Sequence, residues 1–235
     1  MTLTLHVHPT AELAERVLLP GDPGRALLLA QALLEQPKMF NHNRGLWGYT
    51  GGAADGAPLT IQSTGMGGPS AAIVIEELVR LGAQRLVRVG TCGALVGGFA
   101  LGDAIVAQEA ICMDGTSRAL GGGERVAADP ALTTALAAAA AGDGGARSGA
   151  VVTTDLFYDA AGAHADPESD PDHPALAIEM ETATLFRLGA LRGVQAGCVL
   201  AVTDLLGPAR GRIDAQRLEA AAERVGRIAA AALST

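Results

Sequence analysis

Short apolar runs alternate with longer helical segments along almost the whole chain, and this alternation constrains the fold more than any other feature. Apolar runs typical of strands occupy residues 16–20, 48–52, 59–64, 85–89, 103–108, 149–154 and 197–202. Helical spacing of apolar residues occupies residues 25–35, 71–81, 130–142, 181–192 and 214–232. Strands that alternate with helices favour an α/β fold. We therefore expect a single domain over residues 1–235, with a central mixed, largely parallel twisted sheet flanked by helices.

Composition excludes several other classes of protein. Apolar residue types make up 49% of the 235 residues and aromatic types only 3%, so Ala, Val, Leu and Gly carry the packing of the core. The formal net charge of −8 disfavours binding to nucleic acid or to an anionic membrane surface. No aliphatic stretch approaches the ~20 residues that span a bilayer. Residues 159–174 are acidic and proline-rich, and this composition predicts an exposed loop.

The three cysteines, Cys92, Cys112 and Cys198, are too few and too scattered for a disulfide framework. This favours a reducing, cytoplasmic location, and the N-terminal residues lack the pattern of a secretory signal. His6 and His8 alternate along an extended segment, but no third ligand accompanies them. No metal site is therefore predicted.

Four segments place glycine, arginine or acidic residues at the ends of predicted strands. They are residues 21–25, 65–70, 88–93 and 203–204. Ligands bind beyond the carboxyl ends of the strands in open α/β sheets. Glycine lets backbone N–H groups approach an anion, and arginine supplies positive charge in a fork geometry. We therefore predict a pocket for a small anion with an acid nearby, although each glycine-rich turn taken alone is also compatible with a plain turn.

Two residues of this predicted pocket allow a second interpretation. Arg88 lies within an apolar strand, where a buried charge needs a counter-anion. That anion is either a ligand or a carboxylate such as Glu76 or Glu77. Asp204 is either a catalytic acid or a helix cap.

The sequence disfavours both dinucleotide binding at the glycine-rich turn and nucleophilic catalysis by Cys92. Residues 65–70 are not a dinucleotide-binding fingerprint, because Ser70 stands where the third glycine belongs. Cys92 has no histidine in a recognisable partner motif, which favours an inert buried thiol over a nucleophile.

Seven motifs occur in an order and spacing that resemble the nucleoside phosphorylase family of the trimeric and hexameric bacterial type. They are LPGDPGRA, NRGLWGYTG, STGMGGPSAAI, VRVGTCGAL, DLFY, AIEMETATLF and AVTD. The resemblance extends from residue 5 to about residue 227. It is closest to the purine nucleoside phosphorylases, with the uridine phosphorylases as near relatives.

The resemblance implies a role for each matched residue. A phosphate site is implied for Gly21, Arg25, Arg88 and Thr91 of one subunit, with Arg44 delivered across an interface. Around the ribose it implies Met66, Met180 and Glu181, with Glu181 on the 2′ and 3′ hydroxyls, and His6 on a neighbour's 5′ hydroxyl. Because the spacing from His6 to the LPGDP turn is one residue short, His8 is the alternative. Lining the base it implies Cys92, Gly93, Phe157 and Glu179, with Asp204 as the general acid at purine N7.

Two features bear on the choice of base. An acid at the position of Asp204 is typical of the purine enzymes, and the Gln and Arg that read uracil in uridine phosphorylases do not follow Tyr158. The purine enzymes also carry a downstream arginine that assists the acid. Neither Arg210 nor Arg212 aligns cleanly with that position. Either one assists the acid, with Gly207 and Gly211 as hinges, or both are solvated arginines of a loop.

The resemblance implies phosphorolysis of purine ribonucleosides or 2′-deoxyribonucleosides to the free base and a pentose 1-phosphate. This is a pentosyl transfer of purine salvage that uses inorganic phosphate as co-substrate and needs no cofactor. It also implies a homo-oligomer, a hexamer built as a trimer of dimers, with sites shared between subunits. The alternatives are a uridine phosphorylase, a phosphate-independent nucleosidase, and a nucleoside-binding protein on the same fold.

Overall fold

Strands and helices alternate in the computed structural model of the chain, which describes residues 4–158, 175–206 and 210–234. The strands are β1 (Arg16–Leu19), β2 (Glu35–Asn41), β3 (Gly48–Gly52), β4 (Pro58–Gln62), β5 (Arg85–Ala94), β6 (Ala104–Met113), β7 (Arg125–Ala127), β8 (Arg147–Thr154), β9 (Ala177–Glu179), β10 (Gln195–Leu205) and β11 (Gly211–Arg212). The helices are α1 (Pro23–Leu33), α2 (Gly68–Leu81), α3 (Gly115–Ala119), α4 (Pro130–Ala141), α5 (Thr182–Arg192) and α6 (Ala215–Leu233), and a short 3₁₀ turn covers Asn43–Gly45.

All the described strands belong to one sheet, whose centre is parallel. Strands β4, β1, β5 and β10 lie side by side in that order, each parallel to the next. Antiparallel pairs flank this centre on both sides, with β3 and β2 beyond β4 and with β6 and β11 beside β10. The predicted α/β class and mixed sheet are confirmed. Antiparallel pairing is more extensive than the alternation of strands and helices indicates.

Five of the strands close into a ring. Strand β5 pairs with β10, β10 with β6, β6 with β8, β8 with β9, and β9 with β5 again. Because β5 also pairs with β1, it has three neighbouring strands. The carboxyl ends of β5 and β10 and the end of β9 are thereby held together by backbone hydrogen bonds.

Aspartates start four of the helices, and in α3 the Asp114 side chain accepts the Ser117 N–H at 2.7 Å. The side chains of Asp22, Asp129 and Asp214 each accept the backbone N–H of the residue three positions further on, at 2.7, 2.8 and 2.9 Å. Proline follows the first two of these aspartates and suits the first helical position, where its missing N–H has no partner to lose. These caps fix where α1, α4 and α6 begin.

The core lies on both faces of the sheet. One cluster of buried apolar side chains includes Ile75 of α2 and Phe186 of α5, and the other includes Leu29 of α1 and Ile228 of α6. A Cβ atom on Gly226 would lie 2.4 Å from the Leu29 side chain, so this glycine permits the close contact of α1 with α6. The packing is carried by aliphatic residues, as the composition predicts.

Several boundaries differ from those that the sequence predicts. The first helix ends at Leu33, and the chain continues as the edge strand β2. The short elements α3, β7 and β11 are not predicted either. Strands β5 and β10 continue beyond residues 89 and 202, because their ends pair with β9 and β11. Among the helices described, none combines the length and the hydropathy needed to cross a bilayer.

Candidate active site

The four segments with unusual residues meet at one edge of the sheet. The turn after β4 joins the turn after β1, since the Gly65 N–H donates to the Gly21 carbonyl at 3.0 Å. A Cβ atom on Gly21 would lie 3.1 Å from the Gly65 carbonyl oxygen, so both turns need the space that glycine leaves. On the neighbouring strands Asp204 is directly opposite Gly93. The expectation that these segments share one edge is confirmed by this register.

Arg88 is buried at this edge between two carboxylates. Its Nε lies 2.8 Å from Glu179 Oε2, and its Nη2 lies 2.5 Å from Glu181 Oε2. Burial alone would lower the pKa of Arg88, but the two carboxylates raise it, Glu181 more than Glu179. The guanidinium folds over Gly90, where a Cβ atom would lie 2.8 Å from its Cζ. This charge is therefore compensated within the chain.

Neither Glu76 nor Glu77 is the counter-anion of Arg88, so that interpretation is wrong. Glu76 pairs with Arg192 at 2.9 Å on the surface. Glu77 hydrogen-bonds the N-terminal segment instead. Both carboxylates belong to α2, and their side chains contact partners away from the carboxyl end of β5.

Glu179 is placed differently from a residue that reads a base. Its side chain is fully buried, and its carboxylate accepts hydrogen bonds from Thr153 Oγ1 at 2.5 Å and from the backbone N–H groups of Glu181 and Thr182 at 2.9 and 3.0 Å. With Arg88 as a further partner, both oxygens are saturated. No lone pair of the carboxylate is left for a ligand, so in this structure the Glu179 side chain faces Arg88 and the start of α5.

Glu181 connects the arginine to the glycine-rich turn. It stands at the N-cap position of α5, where negative charge is favourable, and its carboxylate accepts the Gly67 backbone N–H. The side chain is buried, and burial raises the pKa of its carboxyl against the opposing effect of Arg88. Gly67 has a φ of +85°, a conformation that glycine adopts without strain and that turns its N–H toward this carboxylate.

Arg25 places a second cation close to the first. It lies in the first turn of α1, and its pKa is lowered by burial and by the positive charge of Arg88. Two neighbouring guanidinium groups repel each other, and a bound anion relieves that repulsion. Thr91 lies three residues beyond Arg88 on β5, is half-buried, and forms no side-chain hydrogen bond with the described residues. The side chains of Arg25 and Thr91 are therefore donors near Arg88 whose hydrogen bonds no described residue accepts.

Asp204 lies in strand β10 and not at the start of a helix. A register shift between Val202 and Asp204 marks a bulge, a feature that redirects side chains beside many active sites. The carboxylate accepts a hydrogen bond from Thr203 Oγ1 at 2.9 Å and lies 3.7 Å from Arg212 Nε, across the pair formed with β11. The helix-cap interpretation is wrong, and of the two candidate arginines Arg212 is the one beside the acid.

Three of the predicted ligand-contacting residues are apolar and at least partly exposed. Met66 and Phe157 are exposed, at 87% and 57%, and Phe157 packs edge-to-face on Tyr158 with ring centroids 4.9 Å apart. Met180 is half-buried and approaches Gly67. Exposed apolar side chains are common at binding surfaces.

Cys92 and Gly93, which the resemblance assigns to the base, are both constrained by their surroundings. Cys92 is buried, and burial raises the pKa of its thiol well above the usual range, in agreement with an inert thiol. At Gly93 a Cβ atom would lie 2.8 Å from the Leu206 side chain. Residues 159–174, where the exposed loop is expected and where a uracil-reading pair would follow Tyr158, lie outside the described residues.

His6 and Arg44 do not join this cluster within the chain. His6 Nδ1 lies 2.8 Å from Glu77 Oε1. Arg44 is exposed, lies in the 3₁₀ turn with φ +58°, and forms no ion pair with any described residue. Asn43 Nδ2 donates to the His6 carbonyl at 2.9 Å. This hydrogen bond joins His6 to the 3₁₀ turn that carries Arg44. His8 is exposed, and its ring Nε2 lies 3.2 Å from the Leu5 carbonyl.

A separate groove of about 990 Å³ lies at the opposite end of β1. It is lined by residues 10–16, by parts of β2 and β3, and by the C-terminal end of α6, and it contains none of the predicted site residues. Its buried Arg16 is already paired with Asp55 at 2.6 Å. Over the whole described part of the chain, no group of three His, Cys, Asp or Glu side chains is arranged to hold a metal ion.

Sequence reasoning missed three polar residues that organise the site. Thr153 fixes Glu179, Glu77 fixes the N-terminal segment, and Asn43 joins His6 to the turn that carries Arg44. Thr153 is the one with a signal, since it is a polar residue that directly follows the buried apolar run of residues 150–152. The other two contacts join residues 37 and 70 positions apart, which spacing does not reveal.

Comparison with known proteins gives a consistent result. A family model described as the phosphorylase superfamily matches residues 15–234. The chain is 39% identical over 197 residues to a DeoD-type purine nucleoside phosphorylase of Oceanobacillus iheyensis, covering 82% of this chain and 83% of the relative. It is 39% identical over 190 residues to a guanosine phosphorylase of Halorubrum lacusprofundi, covering 80% and 77%. It is 38% identical over 207 residues to a uridine phosphorylase of Treponema pallidum, covering 82% and 78%.

Proposed function

Because this chain belongs to the phosphorylase superfamily, we propose that it is a purine nucleoside phosphorylase. Phosphate attacks C1′ of the nucleoside, the bond from C1′ to the purine nitrogen breaks, and the products are the free base and ribose 1-phosphate or its 2-deoxy analogue. This is a transfer of a pentosyl group in purine salvage. The observation that carries the proposal is the cluster of Arg25, Arg88 and Glu181 at the same sheet edge as Asp204.

The nucleophile is held by positive charge and by backbone N–H groups. In the proposed site the phosphate ligands are Gly21, Arg25, Arg88 and Thr91, with Arg44 of a neighbouring subunit. The positive charge of Arg88 lowers the pKa of Arg25, which supports this role, since a phosphate dianion compensates the charge of Arg25 and accepts hydrogen bonds from both guanidinium groups. Holding the phosphate in line with C1′ turns a bimolecular attack into a step between prepositioned groups. Inorganic phosphate is the co-substrate, and the reaction needs no metal or organic cofactor.

The sugar is held by a carboxylate beside the phosphate site. Glu181 accepts hydrogen bonds from the 2′ and 3′ hydroxyls, and Met66 and Met180 cover the ribose. Its buried position and its hydrogen bond from the Gly67 N–H support this role, because the carboxylate is fixed before the sugar arrives. Positive charge that develops on the ribose in the transition state is stabilised by this carboxylate and by the phosphate.

The base leaves with help from an acid. Asp204 gives a proton or a strong hydrogen bond to purine N7, a contribution typically worth about 10²–10⁴-fold in rate. Arg212 assists it, supported by the 3.7 Å distance between the two side chains. Cys92, Gly93 and Phe157 line the base, whereas Glu179 serves as a positioning residue for Arg88.

Purine is favoured over uracil as the base. Asp204 provides the acid that purine N7 requires, and relatives named for purine nucleosides and for guanosine support the same choice. A uridine phosphorylase is the second candidate, since a relative of that name is equally similar. The preferred purine is left to the assay described below.

We propose that the active assembly is a homo-oligomer, a hexamer built as a trimer of dimers, in the reducing cytoplasm. His6 and Arg44 support this, because they form one surface unit apart from the cluster that contains Arg25 and Arg88. Exposed Leu5 and Trp47, at 67% and 39%, lie next to this unit in the chain and suit an interface. Three free, buried cysteines suit a reducing compartment.

The test is an assay of inosine, adenosine, guanosine and uridine cleavage, each with and without phosphate. We expect purine release that requires phosphate, and a fall of about 10²–10⁴-fold in kcat for Asp204→Asn with phosphate affinity retained. Uracil release that requires phosphate would identify a uridine phosphorylase. Cleavage without phosphate would identify a nucleosidase, and nucleoside binding without cleavage would identify a binding protein.

Sedimentation of the same protein tests the assembly. A hexamer is expected. Mixing inactive Arg44→Ala subunits with inactive Arg88→Ala subunits should restore part of the activity, because in some mixed sites one subunit supplies Arg88 and its neighbour supplies Arg44. A fully active monomer at high dilution would contradict the proposed shared site.

A further inference from the structure

One buried carboxylate holds the whole N-terminal segment that carries His6. Glu77 of α2 accepts the backbone N–H groups of Leu5, His6 and Val7 at 3.1, 3.0 and 2.7 Å. The same carboxylate lies 2.8 Å from His6 Nδ1. Glu77 is 6% exposed, so these contacts are shielded from water. Three consecutive amides and an imidazole thus converge on a single side chain.

The carboxylate of Glu77 is ionised in this environment. Burial raises its pKa, but the hydrogen bonds from Val7 and His6 outweigh burial and lower the pKa to about 2. An ionised carboxylate only accepts hydrogen bonds. The ring nitrogen that faces it, His6 Nδ1, must therefore carry the proton.

This contact selects one form of the imidazole. In a neutral ring with the proton on Nδ1, the other nitrogen, Nε2, has a free lone pair and accepts hydrogen bonds. A sugar hydroxyl can donate to such a nitrogen. The opposite tautomer would present an N–H at the same place.

Two further hydrogen bonds fix the backbone around His6. Asn43 Nδ2 donates to the His6 carbonyl at 2.9 Å, and Asn41 Oδ1 accepts the His8 N–H at 2.9 Å. The backbone on both sides of the imidazole is therefore fixed, and His6 remains partly exposed at its other edge. His8 has no such carboxylate, and its ring lies against the Leu5 carbonyl.

We propose that Glu77 is a positioning residue for the reaction. It fixes the tautomer of His6 with the proton on Nδ1 and directs Nε2, as a hydrogen-bond acceptor, toward the 5′ hydroxyl of a nucleoside bound in the neighbouring subunit. Of the two histidines, this assigns the role to His6. The inference rests on the proposed function for the identity of the substrate, but the tautomer itself does not.

The variant Glu77→Gln reverses the hydrogen-bonding pattern with little change in shape. The amide oxygen is drawn to the position of Oε2, which accepts the His6 and Val7 N–H groups. The NH₂ group then takes the place of Oε1 and faces His6 Nδ1 and the Leu5 N–H. Because that group is a donor, the proton moves to Nε2 and the acceptor is lost. Glu76→Gln is the matched control, since Glu76 is the preceding residue of α2 and pairs with Arg192 on the surface.

The kinetic test compares inosine with 5′-deoxyinosine, which lacks the hydroxyl. We expect the ratio of the two kcat/KM values to fall about 3- to 10-fold in His6→Ala and in Glu77→Gln, as for the loss of one hydrogen bond to substrate. The double variant should fall no further, and Glu76→Gln should match the parent. A loss of stability alone would lower both substrates together. An unchanged ratio in Glu77→Gln, or in His6→Ala, would overturn the proposal.

The spectroscopic test needs no substrate. In ¹⁵N-histidine-labelled protein the His6 ring should show a protonated Nδ1 and an unprotonated Nε2 at pH 8, and Glu77→Gln should exchange the two. A parent protein with the proton on Nε2 would overturn the assignment whatever the enzyme does. If no nucleoside is cleaved while the Nδ1–H tautomer is found, the proposed function fails and the contact from Glu77 to His6 stands.

Discussion

Arg88 and Glu181 form an ion pair inside the candidate site, with 2.5 Å between Nη2 and Oε2. The proposed phosphate ligand and the proposed ribose ligand are thus in direct contact. Binding of either substrate changes the electrostatic environment of the other. The two half-sites are coupled through this pair, and several predictions depend on that coupling.

Replacing Glu181 with glutamine separates the two effects. The amide is a poorer acceptor for two sugar hydroxyls, so we expect the KM for inosine to rise about 10-fold or more. Removing a negative charge beside Arg88 should tighten phosphate binding by several-fold, because less repulsion remains for the dianion. Titration calorimetry with phosphate measures the second effect, and weaker phosphate binding would contradict it.

Glu179→Gln tests the positioning of Arg88. The amide oxygen can still accept hydrogen bonds, but the NH₂ group of the same side chain then faces another donor. We expect this to lower the free energy of unfolding by about 1–3 kcal/mol. The KM for phosphate should rise more than the KM for nucleoside. Thr153→Ser keeps the hydroxyl that contacts Glu179, so it should keep the parental kinetics and lose only the ~1 kcal/mol of one buried methyl group in denaturant unfolding.

Gly90→Ala tests whether the guanidinium needs the space above its strand. The added Cβ would lie 2.8 Å from Arg88 Cζ and 2.7 Å from Leu200, so the arginine must move. Phosphate affinity should fall about 10-fold or more. Gly97→Ala is the control, because nothing lies within 4 Å of its added Cβ. Equal phosphate affinity in both variants would show that Arg88 does not bind phosphate from this position.

Arg212→Ala tests the assistance given to Asp204. Loss of a positive charge 3.7 Å from the acid should lower kcat for inosine about 10-fold and leave the KM for phosphate unchanged. Arg210→Ala, two residues earlier in the same segment, should keep the parental kcat. The reverse pattern would assign the assistance to Arg210.

Glu77 also makes stability depend on pH. The pKa of Glu77 is about 2 in the folded chain and 4.5 in the unfolded chain. As pH falls, the unfolded chain therefore binds a proton first. The stability that it contributes is complete above about pH 4.5 and is lost as pH falls toward 2. The difference in Tm between the parent and Glu77→Gln should therefore be larger at pH 7 than at pH 3. A constant difference would mean that the ionised carboxylate is not responsible.

Much of the fold follows from local sequence. Aspartate followed by proline fixes the starts of α1 and α4, and apolar runs locate the central strands. The edge strand β2 escapes prediction because it is polar, largely exposed and contains Pro37. Strands β9 and β11 are only three and two residues long and exist through their pairing with β5 and β10.

The site is predictable in its composition but not in its contacts. Glycines and arginines at strand ends predict an anion pocket, and matched motifs name its residues. The partner of Arg88 lies 91 positions away on β9, so nearby Glu76 and Glu77 are the wrong candidates. A motif match also does not tell which way a side chain points, and the carboxylate of Glu179 faces the guanidinium of Arg88.

The closed ring of strands has a mechanical consequence. Strand β5 is bonded to β1, β10 and β9, and it cannot slide or tilt without breaking hydrogen bonds along both of its edges. It therefore has no hinge, and it holds Arg88 on a stationary platform. The turn at residues 65–70 and the N-terminal segment lie outside this ring and are held mainly by side chains, the first by Glu181 and the second by Glu77.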